Sequence, residues 1–200
     1  ALPQSLMTAS GLHTNAVFGF ALMFKKLFAG KLPAFGAVTF DAPGGSAVRE
    51  AQYAGYKATR EAMPGDLSAQ IPIVKDLVRA NGFEILQIPG VEADDVIGTL
   101  ARIAKEAGHE VQIISSDKDF AQLIDDRLLM IDTLRDVTFD VEVAKKKWGV
   151  RPDQMVDYLA LVGDAVDNVP GVAGIGDKSA VDLLATWGSL EAIYAELERG

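Results

Sequence analysis

Short apolar segments, each followed by acidic residues, constrain the fold of this chain more than any other feature. The segments "AFGAVTF", "FEILQI" and "EVQIIS" end at Phe40, Ile88 and Ser115. Each is mostly apolar, as strands of a parallel sheet covered on both faces should be. Helical patterns lie between them. Strands that alternate with helices predict an α/β fold, in which a parallel-type central sheet is flanked by helices.

Three stripes of apolar residues with helical spacing predict the helices of this fold. They lie at positions 17–28, 67–78 and 96–107, and a glycine follows shortly after each one. A glycine just beyond a periodic stripe is a common helix end. Pro72 lies inside the second stripe, so we expect it near the first turn of its helix or at a kink.

From about Trp148 onward the chain changes to short helical segments separated by turns that contain Gly and Pro. These segments are "RPDQMVDYLALVG", "DKSAVDLLATWG" and "SLEAIYAELE". We therefore predict an α/β domain over residues 1–147 and a small helical subdomain over residues 148–200.

Composition excludes several classes of protein. The chain has 200 residues, of which 49% are hydrophobic, so it is long enough and apolar enough to form a core. It has no cysteine, which excludes disulfides and Cys-ligated zinc and fits a cytoplasmic protein. No apolar run approaches the roughly 18 residues of a membrane span. The net charge of −9 argues against a nucleic-acid partner, unless part of it is a carboxylate cluster that binds cations.

Acidic residues follow all three predicted strands. In an open parallel α/β sheet, ligands bind outside the carboxyl ends of the strands. We therefore expect these acids to converge on one edge of the sheet. The acids are Asp41 after the first strand, Glu92, Asp94 and Asp95 after the second, and Asp117 and Asp119 after the third.

A divalent-metal site is the favoured interpretation of these acids. Carboxylates held close together repel one another and raise each other's pKa, unless cations neutralise them. Hard oxygen ligands suit Mg²⁺ or Mn²⁺ rather than zinc. The acids suffice for two ions about 3.5–4 Å apart, as in phosphodiester hydrolysis. The alternative is that they are helix caps and solvated loop acids.

Asp164 and Asp167 in "LVGDAVDNVPGVAGIGDKSA" are candidates for two further ligands. They are three residues apart, which predicts that they lie on one side of a helical turn.

The glycines of "GVAGIG" in the same stretch do not form a dinucleotide-binding loop, because no strand precedes them. We predict a tight hairpin between two short helices, whose backbone N–H groups and following helix N-terminus hold a DNA phosphate. A plain helix–turn remains the alternative. The residues concerned are Gly171, Gly174, Gly176, Lys178 and Ser179.

A basic and aromatic stretch lies between the first two strands. Arg49, Lys57 and Arg60 are candidates to contact phosphates rather than only solvent, although Glu61 is adjacent to Arg60. Tyr56 is a candidate to stack on a base of single-stranded DNA, or alternatively to pack beneath the loop.

The motifs together resemble a known family. "FDAPG…REAQYAGYKATREAMP", "GVEADDVIGTLA", "SSDKDFAQLI" and "GDAVDNVPGVAGIGDKSA" are similar to the 5′-nuclease domain (flap endonuclease, 5′–3′ exonuclease) of bacterial DNA polymerase I and its stand-alone relatives. The similarity runs in order over nearly the whole chain.

The resemblance implies a divalent-metal nuclease with a 5′-nuclease/PIN-like fold that acts on 5′ ends and flaps of branched DNA. The acids named above then match the metal-site positions of the family. "YKATR" matches the arch through which a 5′ single strand passes, with Lys57 and Arg60 facing phosphates as candidate catalytic residues. The glycine hairpin matches a helix–three-turn–helix motif, which grips duplex DNA and can hold K⁺.

The resemblance carries further expectations. The first strand of the family, which supplies another acidic ligand, is missing before Ala1, so we expect the sequence to be part of a longer one. A polymerase domain in the same longer chain fits this expectation. We also expect a monomeric, bacterial, cytoplasmic protein. "GYKATREAMP" lacks the more usual proline-rich stretch, which affects the expected shape of the arch.

Two other functions are weighed against DNA cleavage. A relative that keeps the hairpin but has lost cleavage would bind branched DNA only. Phosphatase chemistry on the D-x-D of Asp117 and Asp119 is less favoured, because no small-molecule pocket motif accompanies it.

Overall fold

The computed structural model describes residue 3 and residues 5–30 and 32–199. In chain order the elements are α1 (Asn15–Leu27), β1 (Ala37–Thr39), α2 (Ala47–Gln52), α3 (Gly65–Ser68), α4 (Ile71–Ala80), β2 (Glu84–Leu86), α5 (Ala93–Glu106), β3 (Val111–Ile114), a 3-10 helix (Lys118–Leu123), β4 (Leu128–Asp132), β5 (Val137–Phe139), α6 (Val141–Trp148), a second 3-10 helix (Pro152–Gln154), α7 (Met155–Val162), β6 (Gly163–Asp164), β7 (Val169–Pro170), α8 (Asp177–Trp187) and α9 (Leu190–Arg199).

These elements fall into two compact units. Unit 1 comprises Ala1–Gly45 and Glu61–Ala93, and unit 2 comprises Ser46–Arg60 and Asp94–Gly200. No helix in the described part of the chain is long and apolar enough to cross a membrane.

Unit 1 contains two predicted strands and a helix pair. β1 and β2 pair in parallel, with Ala37 opposite Glu84. On the apolar stripe of α1, the ring of Phe24 lies 4.8 Å from the rings of both Phe28 and Phe83. Pro72 occupies the first turn of α4, where its missing N–H costs no helical hydrogen bond. The prediction for Pro72 is therefore confirmed.

A buried glutamine fixes the start of α1 in unit 1. Gln70 is only 1% exposed, and its Oε1 accepts hydrogen bonds from the backbone N–H groups of Ala16 (2.9 Å) and Val17 (3.2 Å). Its Nε2 donates to Asn15 Oδ1 and to Asp66 O. The free N–H groups at a helix start need partners, so Gln70 supplies a cap from outside the helix.

Unit 2 is built on β3, β4 and β5. β3 pairs with β4 in parallel, and β4 pairs with β5 antiparallel. Helices α6, α7 and α8 contribute to the same core, which includes Ile113, Met130, Phe139, Met155 and Leu184. The parallel pairs and the helical C-terminal part confirm the predicted α/β class. The β4–β5 hairpin was not predicted.

Candidate metal centre and DNA interface

Asp117 and Asp119 follow β3 at the first 3-10 helix. Asp117 Oδ1 accepts a hydrogen bond of 3.0 Å from the backbone N–H of Asp119, so Asp117 caps this helix. Asp119 Oδ1 is buried and has no hydrogen-bond partner among the described residues. Burial, together with the charges of Asp117 and Asp164, raises the pKa of Asp119 to about 6. The D-x-D therefore holds a half-buried carboxylate, with one buried oxygen, near other carboxylates.

Asp164 and Asp167 lie at a β-turn, and the prediction of a helical turn was wrong. Gly163 has φ +76° and ends α7, after which β6 and β7 form a short antiparallel ribbon. Asp164 Oδ1 accepts hydrogen bonds from the backbone N–H groups of Val166 (2.7 Å) and Asp167 (3.3 Å). The aspartate side chain thus replaces helical hydrogen bonds with a local turn. We call residues 164–168 the acidic turn.

Basic side chains of unit 2 pair with its acids. Arg49 binds Asp95 through both guanidinium ends, at 2.8 and 2.7 Å, and these bonds lower the pKa of Asp95. Lys118 Nζ lies 3.2 Å from Asp164 Oδ2. Burial opposes the ionisation of Asp164, but its backbone hydrogen bonds and Lys118 hold its pKa below the ordinary value.

Asp41 and Glu92 belong to unit 1. Asp41 Oδ1 accepts a hydrogen bond of 2.8 Å from the backbone N–H of Ala93, and its carbonyl accepts one from Gln87 Nε2. Glu92 is 5% exposed, which is unusual for an ionisable residue. Asp41 thus binds the residue directly after Glu92, while Asp94 and Asp95 are exposed in the first turn of α5.

The fit of this site to metal ions rests on Asp119. Over residues 3, 5–30 and 32–199, no three Asp, Glu or His residues form a group arranged to hold a metal ion. A buried carboxylate oxygen without a donor nevertheless leaves a coordination position for a hard cation, and the nearby charged groups include Asp117 and Asp164. Asp119 of unit 2 therefore suits a divalent ion as a ligand. The wider set of predicted ligands stays a prediction.

Residues 53–60, which we call the basic segment, carry the predicted catalytic cations. Lys57 has φ +54°, and its backbone N–H donates to Asp167 O at 2.9 Å. Lys57 Nζ lies 4.0 Å from Asp167 Oδ2 and 4.8 Å from the ring centre of Tyr56. Arg60 Nη2 pairs with Asp167 Oδ1. Lys57 and Arg60 are thus brought together at the acidic turn.

The predicted glycine hairpin connects α7 to α8, and its glycines serve different purposes. A Cβ on Gly171 would collide with the backbone of Leu161, Val162 and Gly163, so this glycine permits close backbone packing. Gly174 has φ +83° with open space around it. Gly176 has φ −105° and open space, so the turn itself does not require a glycine there.

The N-terminus of α8 is held from within unit 2. Tyr158 donates a hydrogen bond of 2.9 Å from its hydroxyl to Asp177 Oδ1, and burial together with Asp177 raises the pKa of Tyr158 to about 12. Lys178 and Ser179 are exposed in the first turn of α8. Their role in binding DNA stays a prediction.

Sequence reasoning missed Lys118 and Asn168. Lys118 is the middle residue of "DKD", and its position between two candidate ligands was the available signal. Asn168 directly follows Asp167, has φ +56°, and donates from Nδ2 to Gly55 O at 2.7 Å. An Asn after a D-x-x-D that precedes Val-Pro is a signal for a turn.

Replacing Asp119 with asparagine is expected to stabilise the metal-free protein at pH 7.5 but not near pH 4. The pKa of Asp119 is raised from its ordinary value of 3.8 to about 6 in the folded protein. Ionisation therefore destabilises the fold increasingly as pH rises from 3.8 towards 6, and fully above that range. Thermal melts in EDTA should show a rise in Tm of roughly 2 °C at pH 7.5. Asp126→Asn serves as the control, because Asp126 is exposed. Equal shifts in the Tm of Asp119→Asn at both pH values would contradict the prediction.

Two family models match the chain consecutively. The first, described as a 5′-3′ exonuclease N-terminal resolvase-like domain, matches residues 1–149, and the second, a 5′-3′ exonuclease C-terminal SAM fold, matches residues 150–200. Together they cover both halves of the motif set on which the resemblance was based.

Curated relatives agree with these matches. The chain is 44% identical over 199 residues to a 5′-3′ exonuclease of Aquifex aeolicus, covering all of this chain and 68% of that protein. It is also 44% identical to a DNA polymerase I of Pseudomonas aeruginosa, of which it spans 22%.

A solved structure shows the same fold. The bacteriophage T5 flap endonuclease, in a pseudo-enzyme–product complex with DNA and metal ions, matches 91% of this chain and 70% of its own, with a TM-score of 0.75 and 22% identity. At 22% identity, the match shows only that the two proteins share a fold. The resemblance stated from the sequence is confirmed by the family models and relatives, and the chain belongs to the 5′–3′ exonuclease family.

Proposed function

We propose that the protein hydrolyses DNA phosphodiesters at 5′ ends and flaps, with two Mg²⁺ or Mn²⁺ ions, in replication and repair. The observation that carries this proposal is the buried, unpartnered oxygen of Asp119 among carboxylates, in a member of the 5′–3′ exonuclease family. The T5 structure with DNA and metal ions supports it by shared fold.

In this proposal the carboxylates of Asp117, Asp119, Asp164 and Asp167 hold the ions. Bound divalent ions would supply an activated water and neutralise charge on the leaving oxygen. The local turns at Asp117 and Asp164 orient these carboxylates before any ion arrives. The other predicted ligands are Asp41, Glu92, Asp94 and Asp95.

Lys57 and Arg60 bind the phosphate beside the scissile bond. Their charged groups already lie at the carboxylate of Asp167, so they are positioned next to a predicted ligand. The planar fork of Arg60 suits a phosphate as well as a carboxylate. The ring of Tyr56 lies beneath Lys57 Nζ, where its negative face attracts the ammonium group.

The glycine hairpin and the N-terminus of α8 grip duplex DNA. Exposed Lys178 and Ser179 stand beside the first backbone N–H groups of α8, which favour an anionic phosphate. Backbone carbonyls of the hairpin are where K⁺ would bind. This contact uses few positive charges, which reconciles DNA binding with a net charge of −9. We also propose that the protein is a monomer in the cytoplasm.

A second candidate is a relative that binds branched DNA without cutting it. It is favoured by one observation, namely that the acids of unit 2 pair with Arg49, Lys118 and Arg60 rather than forming a three-acid group in the described residues.

Cleavage of a 5′-flap DNA decides between the two candidates. With Mg²⁺ we expect a cut near the flap junction that EDTA abolishes, while a matched 3′-flap DNA stays intact. Binding of the 5′ flap without any cut in Mg²⁺ or Mn²⁺ would support the non-cleaving candidate. Absence of both binding and cleavage would overturn both.

A further inference from the structure

Asn168 links two segments of unit 2 that are far apart in sequence. Its Nδ2 donates a hydrogen bond of 2.7 Å to the carbonyl oxygen of Gly55, 113 residues away. Asn168 has φ +56°, a left-handed conformation that asparagine tolerates better than most residues. The side-chain amide of Asn168, in the acidic turn, thereby contacts the basic segment.

A second set of contacts joins the same two segments. The backbone N–H of Lys57 donates to Asp167 O at 2.9 Å. The carboxylate of Asp167 faces Arg60 and Lys57. The hydrogen bonds to Gly55 O and from the Lys57 N–H join neutral groups. The contacts of the Asp167 carboxylate, in contrast, are ion pairs with Lys57 and Arg60.

The distinction between neutral and charged contacts matters when a phosphate or a metal ion arrives. A phosphate competes for Arg60 and Lys57, and a cation competes for the carboxylate of Asp167. The neutral hydrogen bonds have no such competitor, so they keep the basic segment at the acidic turn after the ion pairs exchange partners.

We propose that Asn168 is a positioning residue for cleavage, which holds Lys57 and Arg60 beside the acidic turn through its bond to Gly55 O. The proposal rests on the proposed function. Asn168 touches neither a reacting atom nor a charged group in this role, and it acts only through the basic segment.

Two variants test the side-chain amide of Asn168 separately from its left-handed backbone conformation. Asn168→Gly removes the side chain and keeps the left-handed φ. Asn168→Asp keeps the size of the side chain, but a carboxylate cannot donate to Gly55 O. The matched control is Asn81→Asp in unit 1, because Asn81 Nδ2 also donates to a backbone carbonyl, that of Leu77, at 2.8 Å.

Limited digestion with trypsin tests the positioning without DNA or metal. Loss of one hydrogen bond should speed cleavage after Lys57 and Arg60 about fivefold in both Asn168 variants. Asn81→Asp should digest there at the native rate. Native rates in both Asn168 variants would overturn the proposal.

Flap cleavage in a double-mutant cycle tests whether Asn168 acts through Lys57. Asn168→Gly should lower kcat about fivefold with little change in KM, and should have a smaller effect in a Lys57→Ala background, where Arg60 is the cation that is left to position. Multiplicative losses would show an independent, merely structural role and overturn the proposal. If the native protein does not cut the flap, the proposed function fails, and the trypsin result alone decides whether Asn168 holds the segment.

Discussion

Replacing Asp117 with asparagine is expected to reduce flap cleavage on the order of a thousandfold, while duplex affinity changes by no more than about twofold. Asparagine keeps an oxygen that can accept the hydrogen bond from the Asp119 N–H, so the 3-10 helix retains its cap. What it removes is the negative charge that, under the proposed function, an ion needs beside Asp119. Single-turnover cleavage and a separate duplex-binding titration measure the two effects.

Asp140 provides a matched control for Asp117. It caps α6 through a hydrogen bond of 2.8 Å from the backbone N–H of Val143 to its Oδ1. Asp140→Asn should preserve both cleavage and binding. A loss of duplex affinity in Asp117→Asn as large as its loss of cleavage would show that Asp117 supports DNA binding or the fold rather than the metal centre.

Replacing Gly171 with alanine is expected to destabilise the hairpin by about 3 kcal/mol and to abolish duplex binding with or without metal. The added Cβ would collide with the backbone at Val162 and Gly163, which cannot move aside as a flexible side chain could. Thermal denaturation should show Tm falling by roughly 6–12 °C.

Alanine at Gly174 or Gly176 is expected to destabilise the protein less than alanine at Gly171. Gly174→Ala should cost about 1 kcal/mol, because its φ of +83° strains any residue with a Cβ. Gly176→Ala should leave Tm unchanged, because its φ of −105° is ordinary and its surroundings are open. If Gly176→Ala still weakens duplex binding, DNA itself approaches that position. A Gly171→Ala protein with native Tm would show that the backbone there can relax.

The sequence was most informative where a pattern is local. Apolar runs and helical spacing predicted β1, β2, β3, α1, α4 and α5. The steric rule for proline limited Pro72 to the first turn or a kink, and the structure has it in the first turn. The hairpin of β4 and β5 was missed because "LLMIDTLRDVTF" is short, and its turn is closed by the buried side chain of Asp132 rather than by glycine. The helical turn expected at Asp164 failed because Gly163 adopts a positive φ.

The sequence predicted which acids belong to the candidate site, but not which basic side chains pair with them. Arg49 and Asp95 are 46 residues apart, and Arg60 and Asp167 are 107 apart. Such pairs depend on how the segments fold back on each other, and no spacing rule reveals them. The pKa of Asp119 likewise depends on burial that only the folded chain defines.

Under the proposed function, the pairing of Asp164 with Lys118 and of Asp167 with Arg60 makes metal binding an exchange of counterions. A divalent ion that binds Asp164 or Asp167 has to displace an ammonium or guanidinium group of the same chain. Each displaced group becomes available to a phosphate, so under the proposed function metal and DNA bind cooperatively. Thermodynamic reciprocity then requires that DNA raise the affinity for the ion by the same factor by which the ion raises the affinity for DNA.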